Sequence, residues 1–524
     1  MPETLILSGA PEGFDAALIA REAARGAPVV HIARDDRRMA AMRAALGFFA
    51  PALAVLEFPA WDTTPYDRVS PSGEIMAQRL QVLAALATGA IKPPFVVLTT
   101  MNAAIQRLPA AETVRGASFI ATKGARLDEG ALRGFLVRMG FSQSPTVSEP
   151  GDYAIRGGII DICPPGGAGP VRLDLFGDVL DGIRQFDPET QRSLAPLDRV
   201  EIAPMSEVIL DEDAIARFRQ SYRAEYGGGA NDPLYEAVSA GQKIAGMEHW
   251  LPWFHERLDS LFDYLPGATL VLDDHLDQHR EARAHTIAEQ YDARRESLTR
   301  KGGDSPYRPV APAEMFADDA EWARWLGRHR VIRLAVLAHP PGPGVLDAGG
   351  HVGRNFAPER QAEKADLFGA LAAHVRDLQK SRPVVIASFS EGARERLTGL
   401  LADEGLTGTP IDDIRGLPKG NALGLAVWPL DEGFVADGQA TGPLAVISEQ
   451  DVLGDRLIRG AKKRRRADKF LRDTQSLTPG DLVVHVEHGI GRYTGLETIR
   501  ALGVPNDCVA LEYAGGDRLY LPVE

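Results

Sequence analysis

Cysteine is almost absent: Cys163 and Cys508 are the only two in 524 residues. So few, so far apart, exclude a disulfide framework and a thiolate metal site of the usual spacing, and no metal is expected. A reducing, cytoplasmic setting follows. Long apolar runs are missing too. Nothing approaches the roughly 20 residues of a membrane span, and Met1-Pro-Glu-Thr-Leu-Ile-Leu-Ser-Gly has neither the positive start nor the length of a secretory signal. A net charge of -14 excludes a surface that is basic everywhere, though not a local basic patch. With 44% hydrophobic and 25% charged residues the chain reads as globular, and its length implies about three to five domains.

Also lacking is a working phosphate loop. Leu5-Ile-Leu-Ser-Gly9, a helical pattern from Asp15 to Gly26 and the apolar run Pro28 to Arg34 read as strand, helix, strand, the start of a parallel α/β sheet. The first turn, Gly9-Ala-Pro-Glu-Gly13-Phe-Asp15, stands where such a loop would be. It has no lysine for the terminal phosphates, and Glu12 and Asp15 would repel them. Farther on, Leu270-Val-Leu-Asp273-Asp274 has the form of a strand that ends in magnesium-supporting acids. Alone this is a weak signal; beside the defective turn it suggests an ATPase-type module that has lost its lysine. No catalytic constellation is found elsewhere.

In the Pro-rich segment Phe58 to Asp67, Trp61 and Tyr66 read as packing in preference to a nucleic-acid stacking platform. Ser70-Pro71 offers a cap and first turn for a helix carrying Ile75, Arg79, Val82 and Leu86. Gly342 to Gly353 reads as a connection, and Pro383 opens another α/β unit with Ser390 as a helix cap. Between Arg456 and Arg472 nine basic residues face one acidic residue, centred on Lys462, Lys463, Arg464, Arg465 and Arg466. Such a run is a solvated linker or a phosphate contact. The pair His485 and His488 lacks a third ligand and reads as structural.

Two stretches are β in character. In Pro150 to Asp187, Val171, Leu173 and Leu175 alternate with Arg172, Asp174 and Phe176, and Ile183 and Gln185 with Arg184 and Phe186. One face is core. The other carries arginine, carboxylate and aromatic residues, which suits either an ordinary half-solvated sheet or an interface. From Leu482 to Leu521, short strands with glycine turns fit a small barrel of the SH3 or Tudor kind.

Glu149-Pro-Gly-Asp-Tyr-Ala-Ile-Arg156-Gly-Gly-Ile-Ile-Asp161-Ile-Cys-Pro164 with Arg172-Leu-Asp-Leu-Phe176-Gly-Asp resembles the second domain of the UvrB excision-repair protein and of the bacterial transcription-repair coupling factors. Gly480-Asp-Leu-Val-Val-His485-Val-Glu-His488-Gly-Ile-Gly-Arg492-Tyr493-Thr-Gly resembles the polymerase-interaction domain that the coupling factors share with CarD-type regulators. Only the coupling factors carry both in this order. Pro59 to Asp67 and Ser448-Glu-Gln-Asp-Val-Leu-Gly454 are similar to that family as well.

The resemblance implies a multidomain α/β protein. A degenerate RecA-like, UvrB-like parallel domain would comprise 1-115 and 206-345, with a β-rich insertion at 116-205. A small α/β domain at 346-455, a basic linker at 456-475 and a CarD-like, SH3/Tudor-like barrel at 476-524 would follow. It implies a factor that recognises RNA polymerase stalled at DNA lesions, displaces it and recruits UvrA. UvrA would dock on Arg156, Arg172, Phe176, Arg184 and Phe186, where arginines can bond carboxylates bidentately and aromatics desolvate them. The polymerase β subunit would dock by strand addition near Arg492, Tyr493, Leu496 and Ile499.

Gly9, Gly13, Asp273 and Asp274 would be a vestigial nucleotide site. No catalysis or cofactor is expected from residues 1-524. ATP and magnesium would serve a DNA-translocating motor beyond Glu524, which would also supply most contact with double-stranded DNA. The UvrA face is expected to be masked by a C-terminal domain until that motor engages DNA. A UvrB-like ATP-dependent damage-loading enzyme and a CarD-type transcription regulator are the alternatives.

Overall fold

A computed structural model describes residues 4–165, 169–227, 232–298, 307–362, 366–438, 440–454, 480, 482–485, 489–501, 504–513 and 517–522. Two compact units are present, Met1–Gly454 and Asp455–Glu524.

The first unit is built on a seven-stranded parallel sheet. Its spatial order is Val345–Asp347, Thr4–Ser8, Arg330–Ala335, Thr269–Leu272, Val29–Ala33, Phe95–Thr100, Ala54–Phe58. Val29–Ala33 and Phe95–Thr100 are buried at every residue, as expected of strands covered on both faces. The chain leaves this sheet after Phe95–Thr100 and returns at Thr269–Leu272. Part of the excursion forms a six-stranded sheet, antiparallel except where Ser142–Gln143 pairs in parallel with Asp152–Arg156. Ile160, Ile162, Val171, Leu173 and Ile183 form its apolar face, packed on Leu132 and Leu136 of the helix Glu129–Arg138.

A third, six-stranded sheet centres on Val384–Ser388, flanked in parallel by Leu423–Val427 and Gly442–Ser448. Gly342 to Gly353, read from sequence as a connection, supplies an edge strand to each of two sheets: Val345–Asp347 beside Thr4–Ser8, then Gly350–Val352 beside Phe434–Gly438. The first and third sheets share a core in which Phe48 stacks on Trp428 at 4.6 Å and Phe14 meets Phe434 at 5.8 Å.

One local feature differs from the sequence reading. The helix expected to start at Ser70-Pro71 runs over Gly73–Thr88 and is capped by Ser72. The Ser70 hydroxyl instead donates to Glu248 at 2.6 Å and accepts from the Gly246 N–H. After Phe95–Thr100 comes the short helix Met101–Ala104, and Leu108–Pro109 then pairs with Leu258–Asp259. Tyr66 and Trp61 are packing residues, as read: Tyr66 is buried in the main core and Trp61 packs against it.

In the second unit, Leu482–His485, Gly489–Ala501, Val504–Glu512 and Arg518–Pro522 form an antiparallel meander in sequence order. Tyr493 and Leu511 are its buried centre.

Candidate docking surfaces and the remnant nucleotide turn

Strand alternation places Asp161, Arg172, Asp174 and Arg184 on the polar face of the inserted sheet. Its organising residue is Asp161, which is only 1% exposed although it lies in the apolar run Ile159–Ile162. Arg172 grips it with two hydrogen bonds, Nε to Oδ1 at 2.7 Å and Nη2 to Oδ2 at 2.9 Å. Arg156 adds a third at 3.2 Å. Arg184 pairs with Asp174 through Nε at 3.0 Å. Arg156, Arg172 and Arg184 are thus held by Asp161 and Asp174, acids that the sequence reading did not count among the docking residues. An acidic residue inside an otherwise apolar strand was the signal for Asp161.

Phe176 and Phe186 turn out to be opposites. Phe176 ends its strand beside the Gly177 turn and is 84% exposed. Phe186, expected as a surface anchor, is 1% exposed and packs with Val147, Ala154 and Cys163. A register shift in the pairing with Ser193–Leu197 falls between Arg184 and Phe186, and the Phe186 N–H bonds Pro170 O at 3.0 Å, seating the ring under the chain. The Arg172 guanidinium lies 4.9 Å from its centroid. Phe186 thus supports Arg172 from beneath and offers a partner no surface of its own. Arg172 cannot be removed cleanly either, since its loss would leave the buried Asp161 with Arg156 alone.

At the remnant turn, the acids that would serve a nucleotide are engaged by arginines. Arg38, 2% exposed, bonds Asp15 and reaches Asp273 Oδ1 through Nε at 3.1 Å. Arg34 contacts Asp273 Oδ2 at 3.2 Å and Glu12 at 2.6 Å. Asp274 accepts from the Val336 and His275 N–H groups. Gly9 and Gly13 keep positive φ values of 65° and 91°. A Cβ on Gly9 would lie 2.7 Å from Gly350 O, and one on Gly13 would lie 2.9 Å from Leu430 and 3.0 Å from Phe434. These glycines admit the third sheet.

Burial outweighs the pull of Arg38 and, with Asp273 and Glu12 nearby, pushes the Asp15 carboxyl up to about 7. A carboxyl raised in the folded state binds its proton more tightly there than in the unfolded chain. Its contribution to stability is therefore full below pH 4 and lost as pH rises toward 7. Asp15→Asn should flatten the dependence of stability on pH between 4 and 7 relative to the parent, read from urea midpoints. Parallel curves would refute the assignment.

In the second unit, Arg492 is exposed and bonds Gly480 O at 3.3 Å. Tyr493, expected at the surface, is 4% exposed and packs with Leu511, because its position in the strand faces the small core. Leu496 and Ile499 lie opposite Val509 and Asn506. Leu482–His485 pairs with Gly489 to Arg492 only, so among the described residues the Gly489–Ala501 strand has a strand partner on one side alone after Arg492. Lys462, Lys463, Arg464, Arg465 and Arg466 lie outside the described residues. Among the described residues no group of three His, Cys, Asp or Glu side chains could hold a metal, and no helix is long and apolar enough to cross a membrane.

A parallel sheet with an inserted antiparallel sheet, a Gly9 to Asp15 turn whose acids are bonded by arginines, and a separate antiparallel meander define a multidomain α/β protein. Family models agree: residues 120–208 match the UvrB interaction domain, 378–452 the MFD D3 domain and 477–524 the CarD-like/TRCF RID domain. The transcription-repair-coupling factor of Escherichia coli is 32% identical over 527 residues, covering 97% of this chain and 43% of that protein. The Haemophilus influenzae protein of the same name is 30% identical, covering 99% and 44%, and that of Myxococcus xanthus 32% identical, also covering 99% and 44%. The chain belongs to the transcription-repair-coupling factor family, whose N-terminal part it matches. It spans less than half the length of these relatives.

Proposed function

We propose that this chain supplies the recruiting part of transcription-coupled nucleotide excision repair, holding RNA polymerase through one domain and UvrA through another. The observation that carries the reading is the presence, in one chain, of a UvrB interaction domain and a CarD-like domain, each with an exposed element suited to docking. For UvrA that element is the exposed Phe176 together with Arg156, Arg172 and Arg184 of the same sheet. For the polymerase β subunit it is the open edge of Gly489–Ala501, where strand addition would satisfy backbone groups while Leu496 and Ile499 set specificity. The arginine-filled turn around Asp15 and Asp273 favours this tethering role over ATP-dependent damage loading by the same residues. Translocation on double-stranded DNA, with ATP and magnesium, would come from a motor of the whole protein, and the basic run from Lys462 to Arg466 would contact the same DNA.

Ile499→Arg sets a cation in the proposed polymerase interface and should cost on the order of 2 kcal/mol of binding, roughly thirtyfold. A pull-down with core RNA polymerase checks this, and unchanged capture removes Ile499 from the interface.

A further inference from the structure

The outward face of the inserted sheet carries an apolar residue that is not among the expected docking residues. In the strand Ile159–Ile162, Ile160 and Ile162 turn inward and are fully buried in the core of the insertion. Ile159 is 40% exposed. Period-two alternation puts it on the same side as Asp161, so it stands in the polar face, on a strand paired on both sides.

Its neighbours follow from the register. Arg156 lies directly across on one side and Asp174 on the other. Leu173 and Leu175 pack into the core, which leaves Asp174 and Phe176 facing outward. Phe176 is therefore the diagonal neighbour of Ile159 on one face, a separation that an aromatic side chain can span. The turn between the strands Asp152–Arg156 and Ile159–Ile162 is seated against the strand that ends in Phe176. The Leu175 N–H bonds Gly158 O at 2.7 Å. A Cβ on Gly158 would lie 2.7 Å from Leu175 O, so glycine is what permits the approach.

The charges around this spot answer one another: Asp161 holds Arg172 and Arg156, and Asp174 holds Arg184. What the face leaves unmatched is apolar. Threonine would serve an outward strand position equally well. A single exposed apolar side chain is ordinary. Two adjoining ones, bordered by satisfied ion pairs, have the apolar centre and polar rim of an interface. The pair is continuous with the arginine face and falls within residues 120–208, the stretch that matches the UvrB interaction domain.

Resting on the reading of this face as the UvrA site, we infer that Ile159 is a further contact residue, and that Ile159 and Phe176 together receive one apolar side chain of UvrA. The partner group is aliphatic or aromatic and is desolvated between the two. The surrounding ion pairs form the rim that keeps water from it.

Calorimetric titration of UvrA into the whole chain tests this with Ile159→Thr, Ile159→Val, Phe176→Ala and the double variant Ile159→Thr/Phe176→Ala. Ile159→Thr should weaken UvrA about fivefold, because it replaces apolar contact surface with a hydroxyl. The melting temperature should not fall, since the side chain is exposed in the unbound sheet. Ile159→Val should stay within about twofold of the parent, having lost a single methylene. The double variant should lose less than the product of the two single losses, since both residues touch the same partner group. An Ile159 that only supports the sheet would instead lower the melting temperature and leave affinity unchanged. Unchanged affinity of Ile159→Thr beside a weakened Phe176→Ala would overturn the inference and leave UvrA docking on this face standing. Unchanged affinity of both would remove the docking reading as well. Losses that multiply independently would assign the two residues to separate contacts and overturn the shared site. Sedimentation of the chain alone covers the other occupant: a dimer that Ile159→Thr dissociates would give the patch to a second copy of this chain and overturn the inference.

Discussion

Arg79→Met is expected to lower the unfolding free energy by about 3–5 kcal/mol, the cost of leaving one buried charge without its partner. Arg79 and Glu207 are both fully buried, and Arg79 Nε meets Glu207 Oε1 at 2.6 Å. The guanidinium also donates to Pro59 O at 2.7 Å and lies 4.3 Å from the Phe58 ring centroid. The pair joins the helix Gly73–Thr88 to the segment by which the chain leaves the inserted sheet, so its loss loosens both. Arg79→Met with Glu207→Leu should recover most of the loss, because no charge then remains to be desolvated. Urea denaturation followed by tryptophan fluorescence measures all three proteins. A single-variant cost below about 1 kcal/mol would show that Glu207 finds water or another partner.

Phe176→Asp is expected to reduce UvrA affinity at least tenfold, and about 2 kcal/mol or more if the ring is a central anchor. The ring is 84% exposed, so the change should leave the melting temperature as it was. This separates it from Arg172→Ala, in which weaker binding would be confounded with a sheet destabilised by a buried Asp161 carboxylate left with Arg156 alone. Calorimetric titration of UvrA into parent and variant decides the matter. Equal affinities would move the docking site off this hairpin.

Much of the first unit was legible because its signals are local. Period-two alternation placed Arg172 and Asp174 opposite Leu173, and the missing lysine of Gly9 to Asp15 marked the turn as no ordinary phosphate loop. What escaped depends on residues distant in sequence or on one-residue shifts. Phe186 was assigned to the right face, but the register shift beside Arg184 and the cover from Val147 buried it. Arg79 and Glu207 are 128 positions apart, and nothing near either names the other. The role of Asp273 changed for the same reason: a strand ending in two acids suggests magnesium until Arg34 and Arg38 arrive from the bend and helix that follow Val29–Ala33. Ser70 and Ser72 both precede the helix pattern, and only the tertiary bond to Glu248 decides which one caps it.

Gly9 and Gly13, pressed against Gly350, Leu430 and Phe434, have a mechanical meaning. Where a nucleotide fills the space between two sheets, its arrival and departure can work them like a piston. Here residues of the other sheet and its loops pack directly against the turn, which would make the joint a weld. A displacement applied to the sheet around Val384–Ser388 would be passed to the one around Val29–Ala33 through the core that the two share. Such an arm can carry a docking face as a rigid load, and any timing of its movement has to be set from outside it.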